Sequence, residues 1–127
     1  IGCQFIVSPG ATNELLSAAR SAEATILPGV ATVSEAMRAA AYGCEVLKFF
    51  PASINGGPAA LKAIGGPLID TKFCPTGGVS EENMNDYLSL SNVVCVGGSW
   101  MAPKAMVKAG DWAGIEAIAR RSVEAAV

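Results

Sequence analysis

Thr25-Ile26-Leu27-Pro28-Gly29-Val30-Ala31-Thr32-Val33-Ser34-Glu35-Ala36 contains one whole structural unit. The apolar run Thr25 to Leu27 stops at Pro28-Gly29, a dipeptide that interrupts regular pairing. Thr32-Val33-Ser34-Glu35 then reads as a capping box, in which a hydroxyl and a carboxylate satisfy exposed amides at a helix start. Ala36-Met37-Arg38-Ala39-Ala40 continues as helix. The same order recurs along the chain. Apolar runs at Gln4–Val7, Thr25–Leu27, Val46–Phe50, Lys72–Cys74 and Val93–Val96 each lead into Gly or Pro and then a helical pattern, with starts 21, 21, 26 and 21 residues apart. Short apolar runs without polar alternation predict strands buried on both faces, as in a parallel sheet. Ser80-Glu81-Glu82 is expected to open a helix over Asn83 to Leu90, with acid in its first turn. Asp111 is expected to cap a last helix from Trp112 to about Ala126, with Ile115, Ile118, Ala119 and Val123 as its apolar stripe.

This repeat has the period of a (β/α)8 barrel, in which about 250 residues hold eight units. Five units cannot close one. The rival is a doubly wound sheet, whose commonest cofactor signature is GxGxxG after the first strand. Ser8-Pro9-Gly10-Ala11-Thr12 stands there instead, so the barrel is preferred.

The chain has 127 residues, 51% hydrophobic and 16% charged, with formal net charge -2 and no histidine. That is one globular domain in size and composition. Its mild, unclustered acidity offers nucleic acid no basic surface. No apolar stretch approaches the roughly 18 residues of a membrane span. Strand-like sequence starts directly after Ile1-Gly2-Cys3, with no signal-peptide pattern before it, so the chain is expected to begin inside a larger unit. Cys3, Cys44, Cys74 and Cys95 are spaced without a CxxC pair, so no metal site is expected. Cys3, Cys74 and Cys95 read as small buried hydrophobes, and free buried cysteines fit a reducing cytoplasm.

Lys48 is the single cation in Val46-Leu47-Lys48-Phe49-Phe50-Pro51. Burying a lysine favours the neutral amine, which is a nucleophile toward carbonyl carbon. The competing reading is a lysine that packs its stem on the core and reaches solvent. In βα folds the loops after the strands carry the site. Here Pro75-Thr76-Gly77-Gly78 and Gly97-Gly98-Ser99-Trp100 follow consecutive strands. Paired glycines serve tight turns, and they also let backbone amides approach a phosphate. A nucleophilic amine beside a phosphate cradle suggests imine chemistry on a phosphorylated keto compound. Such chemistry needs a proton shuttle, and no histidine exists and no Asp or Glu ends a strand.

Phe5-Ile6-Val7-Ser8-Pro9-Gly10, Leu27 to Glu35, Lys48-Phe49-Phe50-Pro51-Ala52, Phe73-Cys74-Pro75-Thr76-Gly77-Gly78 and Cys95-Val96-Gly97-Gly98-Ser99-Trp100 together resemble the 2-keto-3-deoxy-6-phosphogluconate aldolase family, which includes 4-hydroxy-2-oxoglutarate aldolases. The resemblance spans nearly the whole chain. It implies a class I aldolase on a (β/α)8 barrel, usually a homotrimer, needing no metal or other cofactor. That enzyme splits the phosphorylated keto acid into pyruvate and glyceraldehyde 3-phosphate. By motif, Lys48 is the Schiff-base lysine, Pro9 and Phe50 line the pyruvate end, and Thr76 contacts substrate. Gly77, Gly78, Gly98 and Ser99 hold phosphate.

The family's first three βα units, with their shuttle glutamate, have no counterpart here, so residues 1–127 are expected to be the last five units of one barrel domain. The isolated chain is expected to turn over little. Ser53 stands where the phosphogluconate branch usually has glutamate, and aldolases for the 6-phospho-2-keto-3-deoxygalactonate epimer tend to have serine. That epimer is one alternative. A non-catalytic phosphate-binding half-barrel is another, against which the unpaired edges at Gln4–Val7 and Val93–Val96 argue.

Overall fold

The computed structural model describes residues 2–126. Its elements in chain order are β1 (Ile6–Val7), α1 (Asn13–Ser21), β2 (Ile26–Leu27), β3 (Gly29–Val30), α2 (Val33–Ala41), β4 (Val46–Phe49), α3 (Gly57–Gly65), β5 (Lys72–Pro75), α4 (Met84–Leu88), a 3-10 turn (Ser99–Met101), α5 (Lys104–Ala109) and α6 (Trp112–Ala125). This is a mixed α/β fold with parallel sheets. β1 pairs with β2, and β3, β4 and β5 pair in that order. The order follows the chain without reversing, whereas a doubly wound sheet turns back at a switch point.

Two prolines shape the sheet. Pro28 has no N–H to give, so the run Ile26 to Val30 divides into β2, facing β1, and β3, facing β4, while the Pro28 carbonyl still accepts from Lys48 N at 2.9 Å. Gly29-Val30, beyond the expected end of the run at Leu27, is therefore strand. Pro75 acts likewise on the expected strand Val93–Val96. That segment makes only two isolated parallel bridges, Phe73↔Val93 and Thr76↔Gly97. Three residue steps on β5 oppose four on 93–97, a bulge where Pro75 cannot donate.

The strands are not uniformly buried on both faces. On β4, Leu47 and Phe49 are enclosed while Val46 and Lys48 are half-buried. β5 is covered from Phe73 to Pro75, but Phe5, Ile6 and Val7 of the β1 run are exposed, as is Val94. The core lies on the helix side. Leu16, Ala36, Ala39, Leu47, Phe49, Leu61, Phe73, Met84 and Tyr87 fill it, with the Phe49 and Phe73 rings edge to face at 6.3 Å. Asn92 reaches into it, its amide donating to the Leu61 carbonyl at 2.8 Å.

Helix starts follow their cap chemistry. Asp111 caps α6 through Gly114 N, although Val123 of the expected stripe is exposed and the buried member is Ser122. α4 begins at Met84, later than expected, because the Ser80 carbonyl takes both Asn83 N and Met84 N in a tight turn. The capping box at α2 is complete: Thr32 Oγ1 accepts from Glu35 N, and Glu35 Oε2 accepts from Ala31 N at 2.8 Å and Thr32 N at 2.9 Å. The Ala31 amide above all holds the Glu35 carboxyl below its ordinary pKa. A carboxyl whose folded pKa is depressed stabilises above its unfolded pKa, and that stability is lost as pH falls through the folded value. Glu35→Ala is expected to cost about 0.5–1 kcal/mol at neutral pH, a gap that closes below about pH 4. Thermal unfolding of both chains at pH 7 and pH 3 measures it.

Candidate functional site

One row of residues crosses the strands at the level of Lys48. Gly29 is its register partner on β3 and Cys74 its partner on β5. A Cβ on Gly29 would overlap the Pro9 carbonyl, so the Ser8-Pro9-Gly10 turn lies directly on that glycine. Register partners share a face, which puts Pro9, Lys48 and Cys74 along one line away from the helix-side core.

Lys48 is half-buried rather than sealed in, and its Nζ sits 4.6 Å from the centre of the Phe50 ring. Phe50 leaves the same face two residues on. A cation over a ring face is attracted by the ring quadrupole, which fixes where the amine rests. Among the described residues no carboxylate pairs with it.

The next shell comes from β5 and its turn. Thr76 N donates to the Phe49 carbonyl at 3.0 Å, and Ala52 N to the Thr76 carbonyl at 2.8 Å, so the turns after β4 and β5 are bonded together. Thr76 Oγ1 is buried and meets no partner among the described residues. Such a hydroxyl costs about 1–3 kcal/mol unless something fills its bonds.

Gly77 and Gly78 have φ of +88° and +77°, a region glycine enters without strain. A Cβ on Gly77 would come within 3.1 Å of the Phe50 ring, and one on Gly78 would overlap Ser53 Oγ. A Cβ on Gly98 would lie 2.8 Å from the Val79 carbonyl, so the turn holding Gly98 and Ser99 meets the turn holding Gly77 and Gly78. Among the described residues, the amides of Gly77, Gly78, Gly98 and Ser99 donate to no protein acceptor. Two adjacent turns therefore present unused N–H groups.

The structure thus brings Lys48, Phe50, Thr76, Gly77 and Pro9 into one neighbourhood, with Gly78 and Gly98 at its rim. Ser99 is exposed on the 3-10 turn. Three carboxylates lie elsewhere or are engaged: Glu35 caps α2, Glu81 is bound to Arg121 at 2.6 Å, and Glu45 precedes β4. Cysteine burial needs correcting. Cys74 is buried, but Cys3 and Cys95 are exposed and Cys44 is half-buried. Sequence reasoning missed Gly29 as a contact point and Cys74 as the neighbour of Lys48. Pairing register alone reveals both.

Because Gly29 touches Pro9 backbone, Gly29→Ala is expected to push the Pro9-Gly10 turn outward. Overpacking of this kind costs about 1–3 kcal/mol. Denaturant unfolding midpoints of parent and variant measure it.

Among the described residues, no group of three or more His, Cys, Asp or Glu is placed to hold a metal ion, and no helix is long and apolar enough to cross a membrane. The family model described as "Aldolase: KDPG and KHG aldolase" matches residues 1–118. The 2-dehydro-3-deoxy-phosphogluconate aldolase of Pseudomonas aeruginosa is 54% identical over 123 residues, covering 97% of this chain and 56% of that protein. The KHG/KDPG aldolase of Escherichia coli K12 is 50% identical over 125 residues, covering 98% and 59%. The chain therefore spans a little over half the length of these relatives. Among solved structures, KDPG aldolase from Legionella pneumophila, with pyruvate captured as a covalent carbinolamine, superposes with TM-score 0.89 at 47% identity, over 92% of this chain and 57% of that one.

Proposed function

The chain belongs to the KDPG and KHG aldolase family, and from that premise we propose that it carries the Schiff-base and phosphate-binding part of a class I aldolase. The substrate would be 2-keto-3-deoxy-6-phosphogluconate, with 4-hydroxy-2-oxoglutarate as a second one. The observation carrying this reading is the placement of Lys48 Nζ over Phe50, one strand from Thr76 and beside turns with unused amides.

In this reading the Lys48 amine adds to the C2 carbonyl and expels water. The resulting iminium accepts the electrons of the C3–C4 bond as it breaks, and the 4-hydroxyl proton leaves as the aldehyde forms. The enamine then takes a proton at C3, and water releases pyruvate from Lys48. Pro9 and Phe50 wall the pyruvate end. Thr76 Oγ1 gives its unused bond to substrate. The amides of Gly77, Gly78, Gly98 and Ser99 grip the phosphate, whose binding energy positions the reacting carbonyl.

The sequential parallel strands support assignment of residues 1–127 to the last five units of a (β/α)8 domain, with the proton shuttle on units outside this chain. The homotrimer implied by the resemblance belongs to the same reading, as does a cytoplasmic setting, which four unbridged cysteines favour.

Pyruvate release from the phosphogluconate compound, its galactonate epimer and hydroxy-oxoglutarate tests this. The 127-residue chain is expected to prefer the first and to run about 10²–10⁴-fold below ordinary enzyme rates for want of a shuttle. Full-rate turnover would contradict the placement of the shuttle. A preference for the epimer would instead give meaning to Ser53 against Gly78. Phosphate binding with no release at all would favour the non-catalytic module.

A further inference from the structure

Trp100 ties the Gly98 turn to the last helix. A Cβ on Gly98 would overlap the Trp100 ring, so the indole lies directly against that glycine. At its other end Trp100 Nε1 donates to Ser122 Oγ at 3.0 Å, and Ser122 is 5% exposed on α6. We propose that Ser122 is a positioning residue for phosphate: through Trp100 it fixes the turn that carries the unused Gly98 and Ser99 amides. The inference rests on the phosphate-binding reading above and adds to it a residue remote from the ligand.

Three observations carry it. Ser99 stands between the anchored ring and the glycine that ring covers, in a 3-10 turn that begins directly after Gly98, so its amide moves only if the indole does. The Cβ position of Gly98 also lies 2.8 Å from the Val79 carbonyl, so the indole, Gly98 and the segment after Gly77-Gly78 meet at one point. Finally, α6 grips that second segment too. Arg121, next to Ser122, holds Glu81 at 2.6 Å, and Asn85 Nδ2 donates to the Ala125 carbonyl at 2.8 Å. The Arg121–Glu81 pair is exposed, and exposed pairs contribute little. The Trp100–Ser122 bond is part-buried and leaves an indole N–H without an acceptor when it is lost, so it is the stronger link.

Backbone amides bind an anion well when they are held in place beforehand, because the entropy of ordering a loose turn is subtracted from the binding energy. Two turns that must close on one phosphate also need a fixed spacing, and α6 touches the segments that follow both. Pyruvate carries no phosphate, and its capture on β4 makes no use of either turn. Loss of the Ser122 hydroxyl therefore separates the two ligands: phosphate binding weakens and pyruvate capture does not.

Trp112, the second of two tryptophans, is exposed, so Trp112→Phe leaves Trp100 as the single indole. In that background Ser122→Ala is expected to raise acrylamide quenching of Trp100 emission. It is also expected to weaken calorimetric binding of inorganic phosphate about 2–10-fold, the effect of one neutral hydrogen bond. Borohydride capture of pyruvate on Lys48 should match the parent. Trp100→Phe should weaken phosphate at least as much, and adding Ser122→Ala to it should cost nothing further, because both act through one bond. Unchanged quenching or unchanged phosphate affinity in Ser122→Ala would overturn the proposal. So would additive losses in the double variant, or an equal fall in pyruvate capture, which marks general loosening. A parent chain that binds no phosphate would overturn the phosphate subsite itself and this inference with it, a result distinct from phosphate binding that ignores Ser122.

Discussion

Lys48→Arg is expected to remove covalent pyruvate capture completely and to reduce pyruvate release to the uncatalysed background, with the unfolding midpoint nearly unchanged. Arginine keeps a cation where Lys48 rests over Phe50, and a guanidinium stacks on an aromatic face at least as well as an ammonium. Its stem covers the same apolar surface, so half-burial on β4 is tolerated. What it lacks is an amine that can lose its proton and condense with a carbonyl. The electron sink for C–C cleavage disappears with it. Residual release above background by the folded variant would contradict an imine at Lys48. Mass spectrometry and a coupled pyruvate assay, alongside thermal unfolding, separate the chemical loss from a structural one.

Phe73→Ala is expected to have the largest effect on stability. Phe73 is 0% exposed and packs edge to face on Phe49. Its amide donates to the Asn92 carbonyl at 2.8 Å and its carbonyl accepts from Val94 N at 3.1 Å, so it also anchors the 93–97 segment. Truncating a buried phenylalanine costs about 3–5 kcal/mol, out of about 5–15 for a whole domain. The thermal midpoint should fall on the order of 10–20 °C. The first contacts to loosen should be Phe73↔Val93 and then Thr76↔Gly97, carrying Gly98 away from Val79. A loss below about 1 kcal/mol would mean that the Phe49–Phe73 contact is not central to the core.

Local chemistry was legible in the sequence wherever one residue type can do one job. Thr32 and Glu35 form the capping box that their spacing predicts, and Asp111 caps α6. The apolar runs of β4 and β5 form where expected because their neighbours on the helix side are equally apolar. What escaped the reading depends on pairing. Proline was read as a terminator of strands, whereas Pro28 splits one strand between two partners and Pro75 turns the next into a bulge. The exposure of Phe5, Ile6, Val7 and Cys95 was hidden for a similar reason, since an apolar run says that a strand can be buried and not what lies beside it. For the candidate site, the motif positions Lys48, Phe50, Thr76 and Gly77 do converge. The approach of Pro9 to Gly29, and of Cys74 to Lys48, needed the register.

The central claim is that Lys48 forms an imine with a keto acid, and borohydride trapping with pyruvate, followed by peptide mapping, tests it most directly. A reduced adduct adds about 72 Da and blocks tryptic cleavage at the modified lysine. The account predicts that gain on Lys48, joining the peptides on either side of it. An adduct on Lys62, Lys72, Lys104 or Lys108 instead, or no adduct on the folded chain, would contradict it.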